Sequence, residues 1–326
     1  MVLISDLPEE IIEYVFLHLS PYGELQTVKQ VCSHWYRLAV GAIERLKLLS
    51  LRWNTYEWSL LAPCESVKFQ ASIAERCSHA ASYHDSTCSM YVFGGCTASY
   101  TTFNDLWKFD LLTRTWIRPL PKGTYPTPKA CATMVEFGDG LVLFGGWSKS
   151  SPNPIHQTAM FFNELHTYNP STNYWTPIYC GDVAPHLAGH SASISKRRMI
   201  VFGGSYGSGS TNVVWVYNFD TNTWYTPRVS SPAPTPRYGQ SQIKIDDHHL
   251  IIMGGCGGPN LIFNDIWLLT IPHEHERAIA TNVSSAADGK VESDNEWVWK
   301  QLSVDNPQLA APLLWSHPAC RIGNQV

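Results

Sequence analysis

The phrase Met90-Tyr91-Val92-Phe93-Gly94-Gly95 is written four times in this chain. It returns as Leu141-Val142-Leu143-Phe144-Gly145-Gly146, as Met199-Ile200-Val201-Phe202-Gly203-Gly204 and as Leu250-Ile251-Ile252-Met253-Gly254-Gly255. Successive first glycines are 51, 58 and 51 residues apart. Four apolar residues closed by a glycine pair read as a short strand covered on both faces. The glycines let the backbone turn and pass where a Cβ would clash. No catalytic residue type recurs beside the phrase, so the repetition is architecture.

Each phrase is the second strand of a four-strand unit. First strands begin at Cys77, Ala130, Gly189 and Gly239, and third strands lie in the segments from Phe103, Phe162, Asn212 and Phe263. Fourth strands surround Trp116, Trp175, Trp224 and, after an insertion, Trp297 or Trp299. Trp107 to Trp116, His166 to Trp175 and Trp215 to Trp224 are each nine residues apart, so the third-to-fourth register is fixed. A period near 50 with four strands per unit predicts a β-propeller, its tryptophans filling the wedges between blades. The 13 Trp and 22 Gly suit such a fold better than a helical bundle.

Strand alternation sorts the loops onto two faces. Connections from second to third strand and from fourth to first are long, varied and Pro-rich, and these are where binding concentrates on a rigid scaffold. Tyr100, Trp147, Lys149, His156, Tyr206 and Tyr238 are the candidate substrate contacts there. The polar segment 272–296 falls on the opposite face and reads as a mobile insertion.

Residues 1–50 follow another rule. Leu7, Ile11, Ile12, Val15, Phe16 and Leu19 keep helical spacing, with Asp6 as cap and Pro8 in the first turn. A second stripe runs from Leu25 to Ala39, and a third, shorter segment starts at Gly41. So small a unit cannot hide all these apolar side chains, which leaves surface for a partner.

Several chemistries find no support. A net charge of -4 gives no pull toward nucleic acid or an anionic membrane, and no cofactor is expected. His248-His249 and the His273/His275 pair lack the further ligands of a zinc site, so no metal is expected. The Gly-rich Gly203–Ser210 stretch lacks the Lys-Ser/Thr of a phosphate loop. The nine cysteines are scattered, and no secretory signal or membrane-length apolar run stands out. These features lead to the expectation of a cytoplasmic or nuclear protein with free thiols.

Residues 5–40 resemble an F-box, with Leu7-Pro8, then Glu10-Ile11-Ile12, then Val31-Cys32-Ser33-His34-Trp35. Residues 76–326 resemble kelch repeats, although the first-strand Arg76 and Arg237 become Lys129 and Leu187 in the other units. The resemblance implies a three-helix all-α F-box, a connector over 51–75, and an all-β kelch propeller of four complete blades plus a partial fifth. It further implies a non-catalytic substrate receptor of an SCF ubiquitin ligase. Such a receptor binds a Skp adaptor, and through it a cullin–RING ligase, while the propeller holds a target protein. Leu7, Pro8, Ile11, Ile12, Val31 and Trp35 become the adaptor contacts. The alternatives are a kelch metalloenzyme and a non-ligase scaffold or cytoskeletal binding protein. The chain opens a fifth blade near Leu313, and a strand near 57–61 could close that blade. Its missing strands lead to the expectation of a fragment of a longer protein.

Overall fold

The computed structural model describes residues 8–19, 24–53, 72–149, 159–272, 296–303 and 312–321. Three helices come first: α1 (Glu9–Phe16), α2 (Glu24–Val28) and α3 (Ser33–Trp53). Pro8 stands at the N-cap of α1, one residue earlier than the expected first-turn place, and its carbonyl accepts from the amides of Ile11 and Ile12. Glu9 and Glu10 follow, where the helix dipole favours negative charge. Asp6 lies outside the described residues.

The two later helical segments are divided differently from the sequence expectation. The break falls at Lys29–Cys32, where the amides of Gln30 and Val31 reach back three residues to Thr27 and Val28. The segment from Gly41 simply continues α3, to Trp53 and beyond the boundary expected at residue 50. A Cβ at Gly41 would stand 3.0 Å from Glu13 Oε1, where α1 and α3 come close. Ile12 and Phe16 from α1, Leu25 from α2, and Leu38, Ala39 and Ala42 from α3 form the core of this unit.

Four antiparallel four-stranded blades follow. Blade 1 is Ala80–His84, Ser89–Phe93, Leu106–Asp110 and Thr115–Ile117. Blade 2 is Thr133–Phe137, Gly140–Phe144, Leu165–Asn169 and Tyr174–Ile178, with Lys122–Gly123 added parallel to its outer strand. Blade 3 is Ser191–Ser195, Arg198–Phe202, Val214–Asn218 and Thr223–Tyr225. Blade 4 is Ser241–Lys244, His249–Met253, Ile266–Thr270 and Val298–Leu302. Trp116, Trp175 and Trp224 pair with Phe109, Tyr168 and Tyr217. Trp299 pairs with Leu269 in the same way, which makes it the fourth-blade counterpart rather than Trp297.

Backbone hydrogen bonds stitch the blades together in a repeated pattern. The amides of Gly95, Gly146, Gly204 and Gly255 donate to the carbonyls of Lys129, Leu187, Arg237 and Leu314, each opening the next blade. A second ladder runs Cys131 N to Ser78 O, Gly189 N to Cys131 O, Gly239 N to Gly189 O and Ser316 N to Gly239 O. All eight glycines of the repeated phrase have positive φ. A Cβ on Gly94 would sit 2.5 Å from Lys129 O, and one on Gly254 2.7 Å from Leu314 O. Residues 312–321 form no strand of their own, yet Leu314 and Ser316 occupy the first-strand place of a fifth blade in both ladders. The closing strand expected near 57–61 and nearly all of the 272–296 insertion lie outside the described residues.

The tryptophan wedges follow the same order. Trp175 packs on Phe93, Trp224 on Phe144 and Trp299 on Phe202, with ring centroids 5.5, 4.7 and 5.1 Å apart. Each pair joins a fourth strand to the end of the preceding blade's second strand. The second strands are therefore buried from Leu141 to Phe144 in blade 2 and throughout in blade 3, the two blades with neighbours on both sides. In blades 1 and 4 they are not: Met90 is exposed, and Ile251 and Met253 are partly so. Burial on both faces is thus a property of the inner blades.

Trp224→Ala empties one wedge and should lower stability by about 3–5 kcal/mol. Tyr225→Ala, on the outward face of the same strand, should change it by less than about 0.5 kcal/mol. Urea denaturation followed by intrinsic fluorescence measures both.

Candidate protein-interaction surfaces

The helical unit keeps more apolar surface than its core absorbs. Ile11 is 48% exposed, and Tyr14 and Val15 share its face of α1 at i+3 and i+4 spacing. Val31, between α2 and α3, is 59% exposed, and Tyr36 at the start of α3 is also open. Pro8 is exposed as well. Glu9 pairs with Arg37 at 2.6 Å and Glu13 with Arg45 at 2.8 Å, clamping α1 to α3.

The expected adaptor contacts separate into two groups. Pro8, Ile11 and Val31 stand on the surface. Ile12 does not: at 2% exposure it is a core residue, because α1 turns it toward Leu25 and Leu38. Trp35 is half-buried and meets Phe16 edge-on at 5.6 Å, so only part of it is free. Leu7 lies outside the described residues. Tyr14, Val15 and Tyr36 were missed by sequence reasoning. Their signal was a stripe of apolar residues too wide for one core, with nothing to say which edge stayed wet.

On the propeller, the described ends of the loops between second and third strands pair with each other as hairpins. Cys96 bridges to Thr102, Trp147-Ser148 pairs with Met160-Phe161, Ser205 bridges to Ser210, and Cys256–Gly258 pairs with Leu261-Ile262. Three of the expected contacts come together across the first two hairpins. The Lys149 ammonium lies 4.5 Å from the Tyr100 ring centroid, and the Tyr100 and Trp147 rings are 6.2 Å apart. Tyr206 stands exposed on the third hairpin. Tyr238 is half-buried, meeting Trp315 edge-on at 6.0 Å, with its hydroxyl accepting from Cys256 Sγ. His156 lies outside the described residues. Met160, Leu261, Ile262, Leu313 and Trp315 are further exposed apolar side chains in these loops or at the start of the fifth unit.

The roots of three hairpins are held by buried ion pairs. Arg76 makes a bidentate pair with Asp105 at 2.6 and 3.0 Å, and Arg237 does the same with Asp265 at 2.5 and 2.9 Å. Each arginine also donates to its own glycine-turn carbonyl, Gly94 O or Gly254 O, and stacks on Phe103 or Phe263. Indole N–H groups of Trp107 and Trp267 donate to the same carboxylates at 2.7 Å. In blade 2, Lys129 reaches Glu164 at 2.6 Å and lies over Phe162. Burial pushes the Asp105 and Asp265 carboxyls up, but the arginine bonds and charge and the indole bond outweigh it and hold both below the usual range. In blade 3 the cation is Leu187 and the acid position is Val213, so both members of the pair change together.

His166, buried near this network, is driven down to about 4 by burial and by the Lys129 charge, with Glu164 partly offsetting. Buried His190 is driven down to about 3 by burial. Among the described residues, no three His, Cys, Asp or Glu side chains come together to hold a metal ion. His248 Nδ1 meets Ile271 O at 3.0 Å, and His249 faces Asp246. No helix of the described residues is long and apolar enough to cross a membrane.

Comparison with known proteins decides the family. Residues 76–276 match the family model described as FBX42, beta-propeller domain, which is well over half of the chain. The chain belongs to the FBX42 beta-propeller family. Residues 4–43 also match the F-box-like model, so an F-box-like unit precedes the FBX42-type propeller. Relatives are diverse. The dynein alpha chain of the Chlamydomonas reinhardtii flagellar outer arm is 29% identical over 155 residues, covering 47% of this chain and 3% of that protein. Tip elongation aberrant protein 1 of Schizosaccharomyces pombe is 27% identical over 218 residues, covering 64% and 18%. Kelch domain-containing protein 10 of Xenopus laevis is 25% identical over 250 residues, covering 56% and 60%. The chain thus spans less than two thirds of each of these relatives. A solved structure, "Structure of YjhT", superposes at TM-score 0.49 and 18% identity over 65% of each chain.

Arg237→Ala leaves the mostly buried Asp265 carboxylate without its cation, held by the Trp267 indole, and should cost about 3–5 kcal/mol, whereas the double change Arg237→Met with Asp265→Leu should cost far less. Thermal melts of the two variants compare them. Stability should also depend on pH through His166. Its folded pKa lies below the unfolded value of about 6.5, so the contribution is whole above that pH and is lost as pH falls toward the folded value. Melting temperature should therefore fall between about pH 6.5 and pH 4. His166→Gln should flatten that slope.

Proposed function

We propose that this chain is the substrate-recognition subunit of an SCF ubiquitin ligase. The F-box-like unit binds a Skp adaptor and through it the cullin–RING ligase, and the propeller loops hold a protein destined for ubiquitination. The observation that carries this reading is the unabsorbed apolar face of the helical unit: Ile11, Tyr14, Val15, Val31 and Tyr36 stay exposed on a unit with its own formed core. The match of that unit to the F-box-like model supports the identity of the partner. Pro8 and the free edge of Trp35 complete the adaptor contacts among the described residues on this reading, and Leu7 remains a candidate from the sequence. The Tyr100–Trp147–Lys149 cluster, with Tyr206 and Tyr238, supplies the substrate contacts.

The subunit contributes positioning. Bringing a substrate lysine beside a charged ubiquitin-conjugating enzyme raises its effective concentration, so no residue of this chain need be catalytic. The kelch domain named in the Xenopus laevis relative fits the same division of labour. The finer likeness, carried by the phrases Phe103–Trp107 and Leu143–Trp147, is to the F-box-only kelch protein JFK. A cytoplasmic or nuclear location belongs to the same proposal.

Co-purification with a Skp adaptor tests it, comparing wild type with Ile11→Asp/Val31→Asp. Both positions are exposed in the free chain, so far-UV spectrum and melting should barely change. Burying an unpaired carboxylate at the interface costs at least about 2 kcal/mol per group, enough to abolish capture. Tyr100→Ala/Lys149→Ala should leave capture intact. Folded wild type that fails to capture the adaptor overturns the ligase reading and leaves a propeller scaffold.

A further inference from the structure

Cys77 and Cys96 face each other across the start of blade 1. Cys77 N–H donates to Cys96 O and Cys96 N–H to Cys77 O, both at 2.9 Å. They are thus a directly opposed, hydrogen-bonded antiparallel pair, whose Cα atoms stand about 5.5 Å apart. That separation lies within the roughly 4.4–6.8 Å spanned by disulfides. The two sulfurs are already in contact at 3.6 Å. Cys77 is exposed and Cys96 is buried.

We propose that Cys77 and Cys96 form a reversible disulfide, making this a site of oxidative modification at the root of the first hairpin. The inference is independent of the ligase reading. The oxidant is a peroxide. The Cys77 thiolate attacks one peroxide oxygen, the O–O bond breaks, and hydroxide takes up the thiol proton and leaves as water. Cys77 is then a sulfenic acid. Cys96 Sγ attacks the Cys77 sulfur, the S–O bond breaks, and the departing hydroxyl takes the Cys96 proton as a second water. Two thiols are oxidised by two electrons in all, and one peroxide is reduced to two waters. The order follows from access: a peroxide reaches the exposed sulfur first, and burial pushes the Cys96 thiol up to about 12, with Cys77 and Cys131 adding to the shift.

The position gives the bond a structural effect. Cys77 follows Arg76, which anchors Asp105 below the hairpin, and Cys96 opens the hairpin that carries Tyr100. Oxidation ties the hairpin covalently to the first strand, and its reduction returns the root to hydrogen bonds and the ion pair. The two residues already exchange backbone hydrogen bonds, so the strands need no re-pairing; closing the sulfurs from 3.6 Å takes side-chain rotation and a small approach of the paired Cβ atoms.

The test treats the full chain with hydrogen peroxide, blocks free thiols, and maps peptides by mass spectrometry. The expected result is loss of two hydrogens, one linkage joining Cys77 to Cys96, and full reversal by dithiothreitol. Cys131→Ser should keep the linkage. Cys96→Ser should stop at a dimedone-reactive sulfenic acid on Cys77, and Cys77→Ser should give neither product. Linkage of Cys96 to Cys131, intermolecular linkage, a persistent sulfenic acid in wild type, or no change under peroxide would each overturn the proposal. The wild-type map decides it even if a serine variant fails to fold.

Discussion

Inter-blade backbone hydrogen bonding dictates what each glycine pair must be. The second glycine's amide has to reach the carbonyl that opens the next blade, and the first glycine has to turn within 2.5–2.7 Å of where a Cβ would meet that same carbonyl. Only a residue without a Cβ, at ease with positive φ, satisfies both demands. Once the backbones are that close, the wedge behind them has a defined size. An indole from the following blade's outer strand fills it, as Trp175, Trp224 and Trp299 do. The hairpins rise directly from these glycines, so their roots are held by the same bonds that hold the blades together. A loop face built this way is a rigid platform carrying variable tips.

The buried ion pairs refine that platform without creating it. Arg237 is completely buried yet fully bonded, to Asp265 and to Gly254 O, which is the condition under which a buried charge is tolerable. Blade 3 dispenses with the pair, placing Leu187 and Val213 at the two positions, and keeps the same backbone bonds through Gly204 and Arg237. Blade docking therefore does not require the ion pair. The ion pair is an all-or-nothing addition, because a lone Arg or a lone Asp at that depth would be stranded. That is why the substitution in blade 3 changes both members.

Much of this was legible because it repeats. Four copies of one phrase gave the strand that is second in every blade, and the nine-residue Trp spacing gave the third-to-fourth register. The repeat could not show that burial weakens at the outer blades, since Met90 and Ile251 are written in the same apolar alphabet as Leu141 and Ile200. Nor could it choose between Trp297 and Trp299, because both are buried and only pairing with Leu269 separates them. The helices have a single copy each, and there spacing failed to distinguish Ile11 from Ile12. Adjacent residues on a helix are about 100° apart, so a small rotation of α1 decides which is core and which is surface. Tyr100, Trp147 and Lys149 were readable as loop residues, but their meeting depends on two hairpins leaning together from neighbouring blades.

The two surfaces arise from opposite circumstances. The helical unit has too little interior for its apolar side chains, so Ile11, Tyr14 and Val15 are surplus to its core and form a fixed apolar stripe on a single helix. Such a stripe suits a partner whose own groove is equally fixed. The propeller has ample interior, and its exposed side chains sit on hairpins whose roots are rigid and whose tips are free to vary. There the exposed groups are aromatic rings and one ammonium stacked on a ring, side chains that offer contact area at little cost in side-chain entropy. One surface is set by what the fold cannot bury, the other by what the fold can hold still. Loop substitution can therefore change the second surface without touching the first, because the hairpin roots and the helical core share no residue.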